Sequence, residues 1–132
     1  MAVAESLPYQ PGLNMPHFHL PDPSGKLHFS KHLVGPRGIL VVFTCNHCPY
    51  ARAIWPRLLI IAAEAKEWGI TTVAINPNIH PDFPDDAPAK MMEQIKKLGI
   101  PFPYLIDETQ QTAREFGAQC TPDNYLFNKY EQ

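Results

Sequence analysis

Gly38-Ile39-Leu40-Val41-Val42-Phe43-Thr44-Cys45-Asn46-His47-Cys48-Pro49 is the stretch whose reading decides the fold. Its first half is short, β-branched, apolar on both faces and bounded by Gly38, which predicts a buried strand. A helical pattern follows at once. From Tyr50 to Trp68, apolar residues recur at Ala51, Ile54, Trp55, Leu58, Leu59, Ala62 and Ala65, one stripe of a helix. Cys45 therefore stands where a central strand hands over to a helix, with free backbone N–H groups aimed at it. The positive end of the helix dipole favours a thiolate over a thiol, and the thiolate is the form that attacks a disulfide. Cys48, one turn into the helix, faces its sulfur back toward Cys45. Cys45 is the candidate attacking thiol and Cys48 the resolving one.

Working outward, Ile70-Thr71-Thr72-Val73-Ala74-Ile75-Asn76 reads as a second buried strand. Strand, helix and strand at this spacing imply a right-handed crossover and a parallel pair. Pro49 falls in the first helical turn, where its missing N–H costs little. Pro56 lies inside and should kink or split the helix, which Gly69 ends. Arg52 reads as a solvated helix residue and Asn46 as structural. Residues 77–88 form a loop of Pro, Asp and His, and Ala89 to Leu98 a helix with Met91, Met92, Ile95 and Leu98 inward. The methionines read as core filler. Pro103 to Asp107 is a short strand, Asp107 or Thr109 caps a helix through Phe116, and Tyr125-Leu126-Phe127 is the last strand. Toward the N-terminus, Leu7 to Pro23, the turn Ser24-Gly25 and Lys26 to Phe29 read as a β-hairpin added before the main sheet. Ser30 is a cap for a helical turn through Leu33. His17, His19, His28 and His32 lack fixed ligand spacing and read as polar-face residues rather than a metal site.

The bounds agree with a single domain over residues 1–132, the first fifteen an extended segment. The 132 residues suffice for one core. A net charge of −2 gives no reason to expect nucleic acid or an anionic membrane as partner. No apolar run approaches the ~20 residues of a membrane span. Met1 to Gln10 has neither a basic nor an apolar leader region, so no secretory signal is expected. Three cysteines make no disulfide framework; one pair plus an odd thiol suits redox chemistry in a reducing compartment, here the cytoplasm.

Three motifs in this order, Cys45-Asn46-His47-Cys48-Pro49, Phe102 to Gln110, and Cys120-Thr121-Pro122-Asp123, resemble the thioredoxin-like superfamily. Within it they resemble the redoxin (alkyl hydroperoxide reductase/thiol-specific antioxidant, AhpC/TSA) group. The resemblance runs from about Pro16 to the C-terminus. It implies an α/β three-layer sandwich and a thiol–disulfide oxidoreductase without a cofactor. Its partners would be protein or small-molecule disulfides, with peroxides in reserve, and a reductant whose identity is not legible. It also implies that Pro122 follows a cis bond beside the cysteine pair and that Thr121 offers backbone to an extended substrate chain, a β-addition. Relatives with His at the position of His47 tend to be more oxidising than thioredoxin itself, so His47 is a candidate tuning residue, favouring the thiolate as a nearby cation.

Some readings stay open. Cys120 is a buried small apolar residue, a second resolving thiol, or a metal ligand with Cys45, Cys48 and His47; a zinc site normally needs a second ligand pair, so no metal is expected. Thioredoxins carry a buried carboxylate near the second cysteine, and the strand Ile39 to Phe43 has none. Glu64, Asp107 and solvent are the candidates. A peroxiredoxin-like peroxidase is the runner-up, although the Pro-x-x-x-Thr/Ser-x-x-Cys signature fails in both registers: Val41 and Cys45 fill its slots for Cys48, Gly38 and Val42 for Cys45. A non-catalytic copper or haem-assembly binding protein is the third reading. Family members continue past the strand at Tyr125 with a further strand and a closing helix. Without these, Leu58, Leu59, Ile60 and Ile61 are expected to be partly exposed, with a homodimer formed through that face.

Overall fold

The computed structural model describes residues 14–118 and 122–132. Its centre is a four-stranded sheet. The hairpin strands β1 (His19–Pro21) and β2 (Leu27–Phe29) come first, followed by β3 (Gly38–Phe43), α1 (Pro49–Glu67) and β4 (Ile70–Asn76). Then come α2 (Pro88–Leu98), β5 (Tyr104–Ile106), α3 (Gln111–Phe116) and β6 (Asp123–Asn128). The sheet order is β5-β4-β3-β6. β3 pairs in parallel with β4, with Val41 opposite Val73, and antiparallel with β6, with Val41 opposite Tyr125. The expected parallel pair is present, and β4 and β5 are parallel too.

Stepping twice in one direction across a parallel sheet puts both crossover helices on one face. There Trp55 and Leu58 of α1 and Met91 of α2 pack on Val42, Ala74 and Tyr104. On the other face Phe18 and Phe116 close over Ile39, Val41, Phe43, Val73, Ile75 and Leu105. Two apolar clusters on opposite faces of one sheet make the three-layer sandwich expected from the sequence. β3 is buried on both sides, so its residues carry no alternation. Gly38 at its start is required by a close approach: a Cβ there would lie 2.2 Å from the Phe127 carbonyl oxygen.

Several local expectations change. Pro56 does not split α1, which runs unbroken for 19 residues; the proline is exposed on it. Ser30 does not cap the short 3-10 turn Ser30–His32; its buried hydroxyl accepts the Phe18 N–H at 3.0 Å and ties the turn to the hairpin. His28 is held by Asp22 at 2.9 Å and His17 lies 3.3 Å from Glu131. Leu58 is buried, whereas Ile60 and Ile61 are exposed. Among the described residues, no helix is long and apolar enough to cross a membrane.

Candidate active site

Both sulfurs lie where β3 ends and α1 begins. Thr44 continues the strand, its N–H donating to the Ile75 carbonyl at 2.9 Å. Cys45 is fully buried, and Cys48 nearly so at the N-cap of α1, with Pro49 directly after it. The Cys48 backbone N–H donates to Cys45 Sγ at 3.2 Å. A backbone N–H at a helix start thus points at sulfur, as the sequence implied. Trp55, one face down α1, donates its indole N–H to the Cys45 carbonyl at 3.2 Å and fixes the loop from below.

The loop between the sulfurs is held by a carboxylate that sequence reasoning missed. Asp86 closes the 3-10 turn Pro84–Asp86 and is fully buried. Its Oδ1 accepts the Asn46 backbone N–H at 2.6 Å and the Asn76 amide at 2.9 Å. Its Oδ2 accepts Nδ1–H of His47. The imidazole lies flat on Phe83, ring centres 4.5 Å apart. Cys45 Sγ, a His47 ring nitrogen and an Asp86 oxygen all lie within 4.8 Å of one another. Glu64 is exposed on α1. Asp107 is spent on α3, accepting the Thr112 and Ala113 N–H groups at 3.3 and 2.8 Å, and burial raises its carboxyl pKa against those bonds. Neither is among the groups drawn together at the cysteine pair.

Tyr104 and Asn76, from the ends of neighbouring strands, complete the polar floor. The Tyr104 hydroxyl donates to Asn46 Oδ1 at 2.9 Å, and the Asn76 amide reaches that hydroxyl at 3.3 Å. Burial, then the nearby charges of Asp86 and Cys45, push the phenol pKa well above its ordinary value, so Tyr104 serves as a donor. A polar Asn at the end of the apolar strand β4 was the one sequence signal for this floor, because sites in parallel sheets gather at the carboxyl ends of strands.

Cys45, Cys48 and His47 are thus brought together. Pro122 directly precedes β6, whose Asp123 pairs with Phe43, two residues before Cys45. It therefore stands at the same end of the sheet as the sulfurs. Thr121, Cys120 and the expected cis bond lie outside the described residues.

The chain is similar to several known proteins. An uncharacterized conserved protein from Geobacillus kaustophilus superposes with a TM-score of 0.93 at 34% identity, over 100% of this chain and 70% of that one. A proposed thioredoxin from Neisseria meningitidis, solved in solution, gives 0.70 at 26% identity, over 89% and 73%. The thiol-disulfide oxidoreductase ResA of Halalkalibacterium halodurans is 25% identical over 86% of this chain, which spans 60% of ResA's length. These likenesses bear out the thioredoxin-like fold read from the sequence. The AhpC/TSA family profile matches residues 11–131, so the chain belongs to the AhpC/TSA family.

Proposed function

We propose that this protein is a thiol–disulfide oxidoreductase working through Cys45 and Cys48. The observation that carries the reading is the Cys48 N–H directed at Cys45 Sγ at 3.2 Å, at the start of a 19-residue helix. A hydrogen bond to the charged form, added to the helix dipole, favours the thiolate. The Cys45 thiolate attacks one sulfur of a substrate disulfide. That S–S bond breaks, the other sulfur leaves and takes a proton, and a mixed disulfide remains on Cys45. The Cys48 thiolate then attacks the Cys45 sulfur and releases the second substrate thiol. The substrate has gained two electrons, and an external dithiol must return the pair to the reduced state. Pro122 and Thr121 hold the extended substrate beside the sulfurs, and His47 tunes Cys45. The likeness to ResA supports a disulfide substrate and a reductant partner. One cysteine pair with an odd thiol suits a reducing compartment such as the cytoplasm.

A Cys48→Ser variant should stall at the mixed disulfide. Incubated with an oxidised peptide disulfide, it is expected to accumulate a covalent adduct that dithiothreitol releases and that Cys45→Ser does not form. Adducts forming equally well without Cys45 would defeat the assignment.

A further inference from the structure

The cluster beside the sulfurs has the make-up of a cation site. We infer that Cys45, His47 and Asp86 bind one divalent zinc ion in the reduced protein. Their ligand atoms lie within 4.8 Å of one another. Bonds of roughly 2.0–2.3 Å in a tetrahedron set ligand atoms about 3.3–3.8 Å apart, so small side-chain shifts complete the set: the hydrogen-bonded His47 and Asp86 atoms open to admit the ion and any wider separation closes by up to about an ångström. Thiolate, imidazole and carboxylate together are a donor set that suits zinc.

Two further observations favour an ion here. Cys45 and Asp86 are both fully buried, so a thiolate formed on Cys45 stands beside a carboxylate, and His47 can offset one of those two charges at most. A divalent cation neutralises both, which one proton does not. The surroundings of Asp86 are also those of a ligand carboxylate. Oδ1 is occupied by the Asn46 N–H and the Asn76 amide, leaving Oδ2, the oxygen facing His47, to meet the metal. Outer hydrogen bonds of that kind orient a ligand. His47 is already aligned by its stack on Phe83, and its side chain is 27% exposed, which gives the ion a way in. The fourth position takes a water, as in open zinc sites.

Binding is not a redox step. The Cys45 S–H bond gives way to S–Zn, the Nδ1–H proton between His47 and Asp86 is displaced, and both protons pass to solvent. Forming the Cys45–Cys48 disulfide removes the thiolate ligand, so oxidation releases the ion and the ion shields Cys45 from attack. This gating, though not the binding, rests on the exchange chemistry proposed above.

The test is zinc competition against a chromophoric chelator, using the full chain reduced and kept anaerobic. One zinc per chain is expected, with affinity held within a few-fold in Cys48→Ser, which cannot form the pair's disulfide. His47→Ala and Asn76→Ala should each weaken binding about tenfold or more, the cost usual for losing even an outer partner. Circular dichroism checks that each variant is folded; should the buried Asn76→Ala variant fail that check, His47→Ala, at a partly exposed site, decides alone. No competition by the reduced protein would overturn the inference. So would binding that survives His47→Ala, or binding lost in Cys48→Ser, which would assign the ion to the cysteine pair. Zinc held by Cys48→Ser in a protein whose wild type never forms the disulfide would leave the site standing and remove the redox reading alone.

Discussion

Two Asp–His pairs in this molecule do different things. Asp22 and His28 meet at 2.9 Å across the hairpin turn, where Asp22 also accepts the Ser24 hydroxyl at 2.5 Å and the Ser24 and Lys26 N–H groups at 2.8 and 3.2 Å. Asp86 and His47 meet at the end of the central strand, with the carboxylate wholly buried. The first carboxylate organises a turn that water can also serve. The second is the buried acceptor for three donors on two other segments of chain, within 4.8 Å of a sulfur. Identical residue types become a local staple or the floor of the cysteine-pair site according to what else can satisfy them.

That contrast can be broken by experiment. The largest effect belongs to the sulfur itself: Cys45→Ser should lower disulfide reduction about a thousandfold or more, as removal of a nucleophile does, read in a turbidity or fluorescent disulfide assay. Next come the carboxylates. Asp86→Ala strands the Asn46 N–H, the Asn76 amide and His47, and should cost about 2–4 kcal/mol in denaturant unfolding, since each orphaned buried donor costs roughly 1–3 kcal/mol. Asp22→Ala, at an open turn, should cost under about 1 kcal/mol; equal losses at the two sites would erase the distinction.

Tyr104→Phe removes one buried hydrogen bond to Asn46 and should cost about 1 kcal/mol. In the wild type an ultraviolet titration should find one tyrosine still protonated after the exposed ones have ionised, because burial and then Asp86 and Cys45 raise its pKa. The smallest effect is a pH dependence. Burial acts to raise the Asp22 carboxyl, but hydrogen bonds from Ser24, His28 and Lys26 outweigh it and bring the pKa to about 2, from 3.8. A depressed folded-state pKa adds stability that is present above the unfolded value and is lost as pH falls through the folded one. The melting-temperature gap between wild type and Asp22→Asn should therefore shrink from about pH 4 to about pH 2. A gap constant across that window would mean that the turn does not depend on the carboxylate's charge.

The sheet was legible because β3 and β4 are apolar runs on either side of one long helical stripe, a pattern with few parallel-sheet solutions. The cysteine pair was legible because its spacing falls at a strand-to-helix step. Asp86 was not, since residues 81–86 read as an undifferentiated acidic, proline-rich loop. Only the 3-10 turn begun by Pro84 sends the second of its acids inward, 40 residues along the chain from the Asn46 N–H it receives. Pattern rules see neighbours on one element and are blind to a side chain delivered from a distant loop. Pro56 misled for a related reason: a proline on the exposed side of a long, well-anchored helix is tolerated, and anchoring by Trp55 and Leu58 is a tertiary property.

The most direct test of the account is to equilibrate the protein in defined glutathione redox buffers, block free thiols with acid quench and alkylation, and map the linked peptides by mass spectrometry. A single two-electron transition yielding a Cys45–Cys48 cross-link is the result expected. Free Cys45 throughout, or a cross-link joining it to Cys120 in place of Cys48, would contradict it.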